Sequence, residues 1–201
     1  IAMLMGKSKQ FIVSLVAIWR VGGVYVPLFT AFSTPAVELR LKESNTKYII
    51  CDSIQLPKLE PIARDAKTNL KHIIVTAPKK EIPDFCTAWD SHLSDIKQEK
   101  YPVLNSQSPF IHIFTSGTTG VPKAAIFPNA KIVAASFNIS NTGYRMTHED
   151  RLYNCLPLYH STGLMLGLAA VIHSGASVFV RRKFSASMFW KEVQKYQTTV
   201  S

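Results

Sequence analysis

Along the first quarter of the chain, apolar and polar positions alternate with two different periods. From Lys7 to Arg20 the apolar residues Phe11, Ile12, Leu15, Val16 and Ile18 recur at helical spacing, and Gly22-Gly23 ends the pattern. A short strand is predicted over Val24–Leu28. Thr34 is then expected to cap a helix whose first position is Pro35, with Glu38 in the first turn, where the helix dipole favours a negative charge. That helix is expected to end near Ser44-Asn45. Lys47–Asp52 reads as a buried strand, about 58–67 as a helix and Lys71–Thr76 as another strand. Between Pro78 and Ser108 the chain is rich in Pro, Lys, Asp and Ser without a clear period, so an exposed connection is expected there. The rhythm then resumes: strand Phe110–Phe114, a glycine- and threonine-rich loop, helix 129–139, strand 151–155, helix 163–173, strand 177–181. A last amphipathic helix, 187–197, sets Phe189, Val193 and Tyr196 near one face.

Strands separated by helices argue for an α/β fold of helix-covered, mainly parallel sheets and against an all-β sandwich. The irregular stretch marks the expected boundary between a sub-lobe at 1–105 and a second at 106–201. Ile1 already lies inside an apolar phrase, and Thr199-Val200-Ser201 reads as the opening of a further strand, so both ends are expected to be cut.

With 201 residues, 47% of them hydrophobic, the chain can bury a sizeable core. Its formal charge of +10 suits an acidic partner: nucleotide phosphate, nucleic acid or an anionic membrane surface. The densest basic groups, Lys79-Lys80 and Arg181-Arg182-Lys183, are too short for a nucleic-acid arm, so they read as solvated faces and no nucleic-acid partner is expected. Cys51, Cys86 and Cys155 stand far apart, odd in number and without a C-x-x-C, which suggests neither a disulfide framework nor a zinc site. No metal ligands are predicted. The apolar runs at 11–19 and 164–172 are too short to span a bilayer, so this stretch of chain is expected to be soluble.

The densest chemistry lies in Thr115-Ser116-Gly117-Thr118-Thr119-Gly120-Val121-Pro122-Lys123, which leaves a buried strand and gathers hydroxyls, glycines and a lysine. Phosphate oxygens are satisfied by backbone N–H groups and hydroxyls converging from several sides, and glycine lets the backbone approach without a Cβ in the way. Lys123 adds a mobile positive charge that can follow a leaving pyrophosphate, and Pro122 stiffens the approach to it. The spacing fits neither G-x-x-x-x-G-K-[ST] nor G-x-G-x-x-G. It resembles the AMP-binding signature of the adenylate-forming superfamily, which includes acyl-CoA synthetases, luciferases and nonribosomal-peptide adenylation domains. The resemblance implies a fold, the large N-terminal domain of those enzymes, here incomplete. It also implies a two-step reaction through an acyl-adenylate, with ATP, Mg²⁺ and coenzyme A. Thr115, Ser116, Gly117, Thr118, Thr119, Gly120 and Lys123 would hold the β and γ phosphates, and Lys123 would act in catalysis.

A second phrase, Cys155-Leu156-Pro157-Leu158-Tyr159-His160-Ser161-Thr162-Gly163, is similar to the superfamily's motif at the acyl-binding wall. By that resemblance His160 is a catalytic residue that sits beside the substrate carboxylate and reorients between the two half-reactions; the plainer alternative is a histidine that caps the following helix. Val180–Trp190 resembles the fatty acid transport protein group, also called very long-chain acyl-CoA synthetases, whereas Gly22–Thr30 is closer to short- and medium-chain enzymes. The implied activity is ATP-dependent activation of a long- or very long-chain fatty acid, by an enzyme associated with a membrane and facing the cytosol, at the endoplasmic reticulum, peroxisome or plasma membrane. A short- or medium-chain ligase and a lipid-binding or transport module without catalysis are the alternatives. The adenine, ribose, hinge and C-terminal lysine elements of the superfamily would lie beyond Ser201, so this stretch alone is expected to be inactive.

Overall fold

A computed structural model describes residues 1–65, 68–76, 81–91, 100–115 and 122–201. The chain divides into two compact units, Ile1–Phe127 and Pro128–Ser201.

The first unit is built on a parallel sheet of order β2-β1-β3-β4-β5, from β1 (Ala2–Leu4), β2 (Val26–Pro27), β3 (Tyr48–Asp52), β4 (His72–Thr76) and β5 (Cys86–Ala88). Successive side chains of a strand face opposite ways. Ala2, Leu4, Ile49 and Cys51 therefore join one buried cluster with Val37 and Leu41 of α2 (Thr34–Glu43) and Leu59 and Ile62 of α3 (Leu56–Arg64). Each valine, leucine or isoleucine side chain among them contributes about 1.5–3 kcal/mol when fully buried. Helix α1 (Lys9–Arg20) buries Phe11, Leu15 and Ile18, with Phe11 edge-on to Tyr25. Its start is fixed by Ser8, whose Oγ accepts the Phe11 N–H at 3.1 Å. Its end is fixed at Gly22, where φ is +71° and the Gly23 N–H returns to the Ile18 carbonyl.

Burial pushes the Cys51 thiol up to about 12, with Cys86 and Asp52 adding to the effect, and the Cys86 thiol up to about 11. Both behave as small core hydrophobes.

The α/β pattern is as expected, with local differences. Ser33, not Thr34, stands at the N-cap of α2; Thr34 is its first helical residue, and the Ser33 side chain makes no capping bond. The stretch expected to be a plain connection contains β5, which pairs with β4 and is followed by Trp89, whose Nε1–H donates to Ser14 Oγ at 2.8 Å. Three residues are too few to show a period of two. Residues beyond Lys123, which carried no strand signal, form β7 (Lys123–Pro128) beside β6 (Pro109–Thr115). β6 is tied to the first sheet by the Tyr25–Ile111 bridge, in which the Tyr25 N–H donates to the Phe110 carbonyl and the His112 N–H to the Tyr25 carbonyl.

In the second unit β8 (Arg151–Asn154) and β9 (Ser177–Val180) run parallel, and Leu152 also bridges Val200 on its other edge. α4 (Asn129–Asn138) continues into a wide π turn, Ile139–Tyr144. A second π segment, Thr162–Ala169, leads into α5 (Ala170–Ser174), and α6 (Ala186–Tyr196) follows β9. One side of β8 and β9 sets Leu152 and Val178 against Val171 of α5. The other sets Tyr153 and Phe179 against Phe189 and Tyr196 of α6, with Phe179 and Tyr196 stacked at 4.1 Å. The region expected as a plain helix over 163–173 is thus wound wide for most of its length, the looser winding that often accompanies a functional site.

Candidate active site

Thr115 is the last residue of β6 and Lys123 the first of β7, and both are exposed. Residues 116–122 between the paired strands are fewer than a parallel crossover needs, so the pairing sets Thr115 and Lys123 at one end of the ribbon. Ser116, Gly117, Thr118, Thr119 and Gly120 lie outside the described residues. What the structure provides is the frame: an apolar strand that delivers Thr115 to solvent, and a return strand that begins on the lysine.

His160 belongs to the second unit and is exposed. It closes the loop that joins β8 to the π segment, and four hydrogen bonds fix it. Its N–H donates to the Pro157 carbonyl at 3.2 Å, and its own carbonyl accepts the Leu164 N–H at 3.0 Å. Nδ1 accepts the Thr162 N–H at 3.2 Å and lies 3.0 Å from the Thr162 hydroxyl. A backbone N–H only donates, so Nδ1 carries the lone pair and the neutral ring keeps its proton on Nε2. The ring therefore does cap the following helix, and in doing so it points the remaining donor, Nε2–H, away from its own helix. Among the described residues Nε2 makes no hydrogen bond. Beside it, burial raises the Tyr159 hydroxyl above its ordinary value, which keeps that group neutral.

The sequence reading overlooked Asn154, the last residue of β8. It is 2% exposed; Oδ1 accepts the Leu156 N–H at 3.1 Å and Nδ2 donates to the Gly163 carbonyl at 3.0 Å. Gly163 and Gly167 are required by contact. A Cβ on Gly163 would lie 2.3 Å from the Pro157 oxygen, and one on Gly167 would lie 2.0 Å from Asn154 Nδ2. The spacing of the two glycines, one helical turn apart, was the visible signal that a backbone passes close to this helix. Among the described residues no group of three His, Cys, Asp or Glu side chains is placed to hold a metal ion.

The family model for AMP-binding enzymes matches residues 1–201. Long-chain fatty acid transport protein 6 of Mus musculus is 38% identical over 135 residues, which are 65% of this chain and 22% of that protein. A crystal structure of a long-chain-fatty-acid-CoA ligase from Archaeoglobus fulgidus superposes with a TM-score of 0.84 at 20% identity, over 98% of this chain and 38% of that one. ATP-bound MatB from Rhodopseudomonas palustris superposes with a TM-score of 0.80 at 22% identity, over 96% and 37%. The chain thus spans well under half the length of these proteins, and the two structures share its fold.

Proposed function

The chain belongs to the AMP-binding enzyme family, and from that footing we propose that it forms the triphosphate-gripping part of an enzyme that joins a long- or very long-chain fatty acid to coenzyme A. The observation that carries this reading is the string Thr115 to Lys123, leaving one strand and entering the next. In the first step an oxygen of the fatty-acid carboxylate attacks the α-phosphorus of ATP, and the bond to pyrophosphate breaks. In the second the thiolate of coenzyme A attacks the acyl carbon and AMP leaves.

A carboxylate is a poor acyl donor, and the adenylate gives it a good leaving group. Charge accumulates on the departing pyrophosphate, and the hydroxyls of Thr115, Ser116, Thr118 and Thr119, with the backbone N–H groups around Gly117 and Gly120, would meet its oxygens. Lys123, exposed at the head of β7, would follow that charge as it departs. His160 would present Nε2–H to the carboxylate, its orientation set through Nδ1 by the Thr162 backbone. Magnesium, which the family resemblance implies, finds no group of three His, Cys, Asp or Glu side chains to hold it among the described residues.

The same protein works at a membrane surface. On the second unit Phe184, Met188 and Trp190 are 54%, 39% and 71% exposed, and Arg182, Lys183 and Lys191 are exposed among them. Glu192, the single acid from 174 to 201, is buried. Exposed aromatics within an uncompensated basic frame suit an anionic lipid face. No helix among the described residues is long and apolar enough to cross a membrane.

The test is ATP-dependent acyl-CoA formation by the full-length protein across acids from acetate to very long chains, with Lys123→Ala and Thr118→Ala beside the wild type. Preference for long chains, with losses of about 10²–10³ in kcat for each variant, is the expected result. If no acid is activated, the reading fails and a lipid-binding or transport role without catalysis replaces it.

A further inference from the structure

We propose that Asn154 is the positioning residue for His160: its side-chain amide holds the loop Cys155–Ser161 in the one conformation that presents the imidazole. The proposal rests on the role given to His160 above. Asn154 ends β8, and its own carbonyl accepts the Arg181 N–H at 3.0 Å, so its backbone is part of the sheet. From that fixed point the amide reaches both ends of the loop at once. Oδ1 takes the Leu156 N–H, two residues on, and Nδ2 gives its proton to the Gly163 carbonyl, where the wide helix has begun. No other side chain of this length both accepts and donates: aspartate would lose the bond to Gly163, and leucine would lose both.

The surroundings are shaped to the amide. Gly167 lies where any Cβ would come within 2.0 Å of Nδ2, so the helix yields its side-chain space to Asn154. Gly163 lies where a Cβ would come within 2.3 Å of the Pro157 oxygen, so the loop backbone rests directly on the helix backbone. That same Pro157 oxygen receives the His160 N–H, and Thr162, next to Gly163, gives its N–H to His160 Nδ1. A continuous path of short contacts therefore runs from the sheet through Asn154 and Gly163 to both the backbone and the ring of His160. A polar group that is 2% exposed and bonded through both arms has no freedom to drift, and a loop held at both ends transmits little slack.

The test is a double-mutant cycle in the full-length protein, read as the rate of acyl-adenylate formation with saturating acid and varied ATP. Asn154→Ala is expected to lower kcat about ten- to a hundredfold with the ATP KM nearly unchanged. In a His160→Ala background the same substitution should cost less than about twofold, because the group it positions is already gone. Asn154→Asp keeps the bond to Leu156 but sets an unpaired carboxylate oxygen against the Gly163 carbonyl, so it should lower kcat at least as far as Asn154→Ala; Asn154→Ser, which keeps a donor and an acceptor on a shorter arm, should lose less and answers the same question if the alanine variant does not fold. Costs that multiply in the double variant, an ATP KM that rises in step with the loss of kcat, or full activity in the single variants would each overturn the proposal. A His160→Ala enzyme with the wild-type rate would sink the role of His160 and the clamp with it, a result distinct from multiplying costs, which sink the clamp alone.

Discussion

The Tyr153 hydroxyl donates to Glu192 Oε2 at 2.7 Å, and the same carboxylate oxygen lies 3.1 Å from Arg181 Nε. Three parts of the unit meet there, since Tyr153 comes from β8, Arg181 directly follows β9 and Glu192 comes from α6. The Arg181 contact is one of charge, because Nε has no aligned hydrogen bond among the described residues; the tyrosine supplies the directed bond. Burial, then the bond to Glu192 and the charge of Glu192, push the Tyr153 hydroxyl up to about 12 from its ordinary 10.0.

Tyr153→Phe leaves a carboxylate that is 6% exposed short of its best donor, and a loss of about 1–3 kcal/mol is expected. The pH dependence gives a sharper check. A folded-state pKa raised above the unfolded one contributes stability that is complete below pH 10 and disappears as the pH rises through about 12. Denaturant unfolding at stepped pH should show wild type losing stability over that window and Tyr153→Phe losing less of it. Parallel alkaline limbs would show that Tyr153 does not titrate against the fold.

Gly163→Ala and Gly167→Ala should both destabilise the second unit, but by different routes. At Gly163 the obstructing atoms are the backbone of Pro157, which has no rotamer to change. At Gly167 they belong to the Asn154 side chain, which can leave at the expense of both its hydrogen bonds. Overpacking of this kind costs roughly 1–3 kcal/mol. Replacing Asn154 by Ala should relieve part of the Gly167→Ala penalty and none of the Gly163→Ala penalty. Thermal melts of the single and double variants decide this; equal behaviour of the two glycines would mean that the close approach to Asn154 is not what constrains Gly167.

These contacts also show what the sequence could and could not reveal. The strands Tyr48–Asp52 and His72–Thr76 were legible because each is a run of buried aliphatics flanked by polar residues, and α6 because Phe189, Val193 and Tyr196 share a helical face. β5 was not, because three residues show no period and its place is set by pairing with β4, a contact from elsewhere in the chain. The proposed phosphate loop, residues 115–123, stands out by residue type, since hydroxyls, glycines and lysine are seldom packed so densely without an anion to meet. Asn154 declares nothing. Its importance lies in partners two and nine residues away whose convergence only the folded loop creates.

The proposed membrane contact through the exposed residues of 182–191 predicts a charge-dependent loss. Each exposed cation near an anionic bilayer is worth about 1 kcal/mol, roughly fivefold in partitioning, and salt weakens it. The full-length protein should float with phosphatidylcholine vesicles more completely when phosphatidylserine is present. Arg182→Glu with Lys183→Glu should remove that increment, and Phe184→Ser with Trp190→Ser should lower binding to both kinds of vesicle. Variants that float as well as wild type would assign any membrane contact to another part of the protein.

The acid side of the stability profile should depend on Asp150. Its carboxylate accepts the Thr147 N–H at 2.7 Å, the Thr199 hydroxyl at 2.7 Å and the Thr147 hydroxyl at 3.0 Å. These bonds, the Thr147 backbone first, hold its pKa below the ordinary 3.8. Through Thr199 the carboxylate fastens the segment that carries Val200 along the edge of β8. A depressed pKa contributes stability that is present above the unfolded value and is lost as the pH falls through the folded one. Wild type should therefore exceed Asp150→Ala in stability by a constant margin from neutral pH down to about 5, and the margin should shrink below the ordinary carboxylate range. High salt should change the margin little if hydrogen bonds to neutral donors are its source and strongly if distant charges are. A margin that persists unchanged in strong acid would mean that Asp150 acts through its backbone geometry and not through its ionised carboxylate.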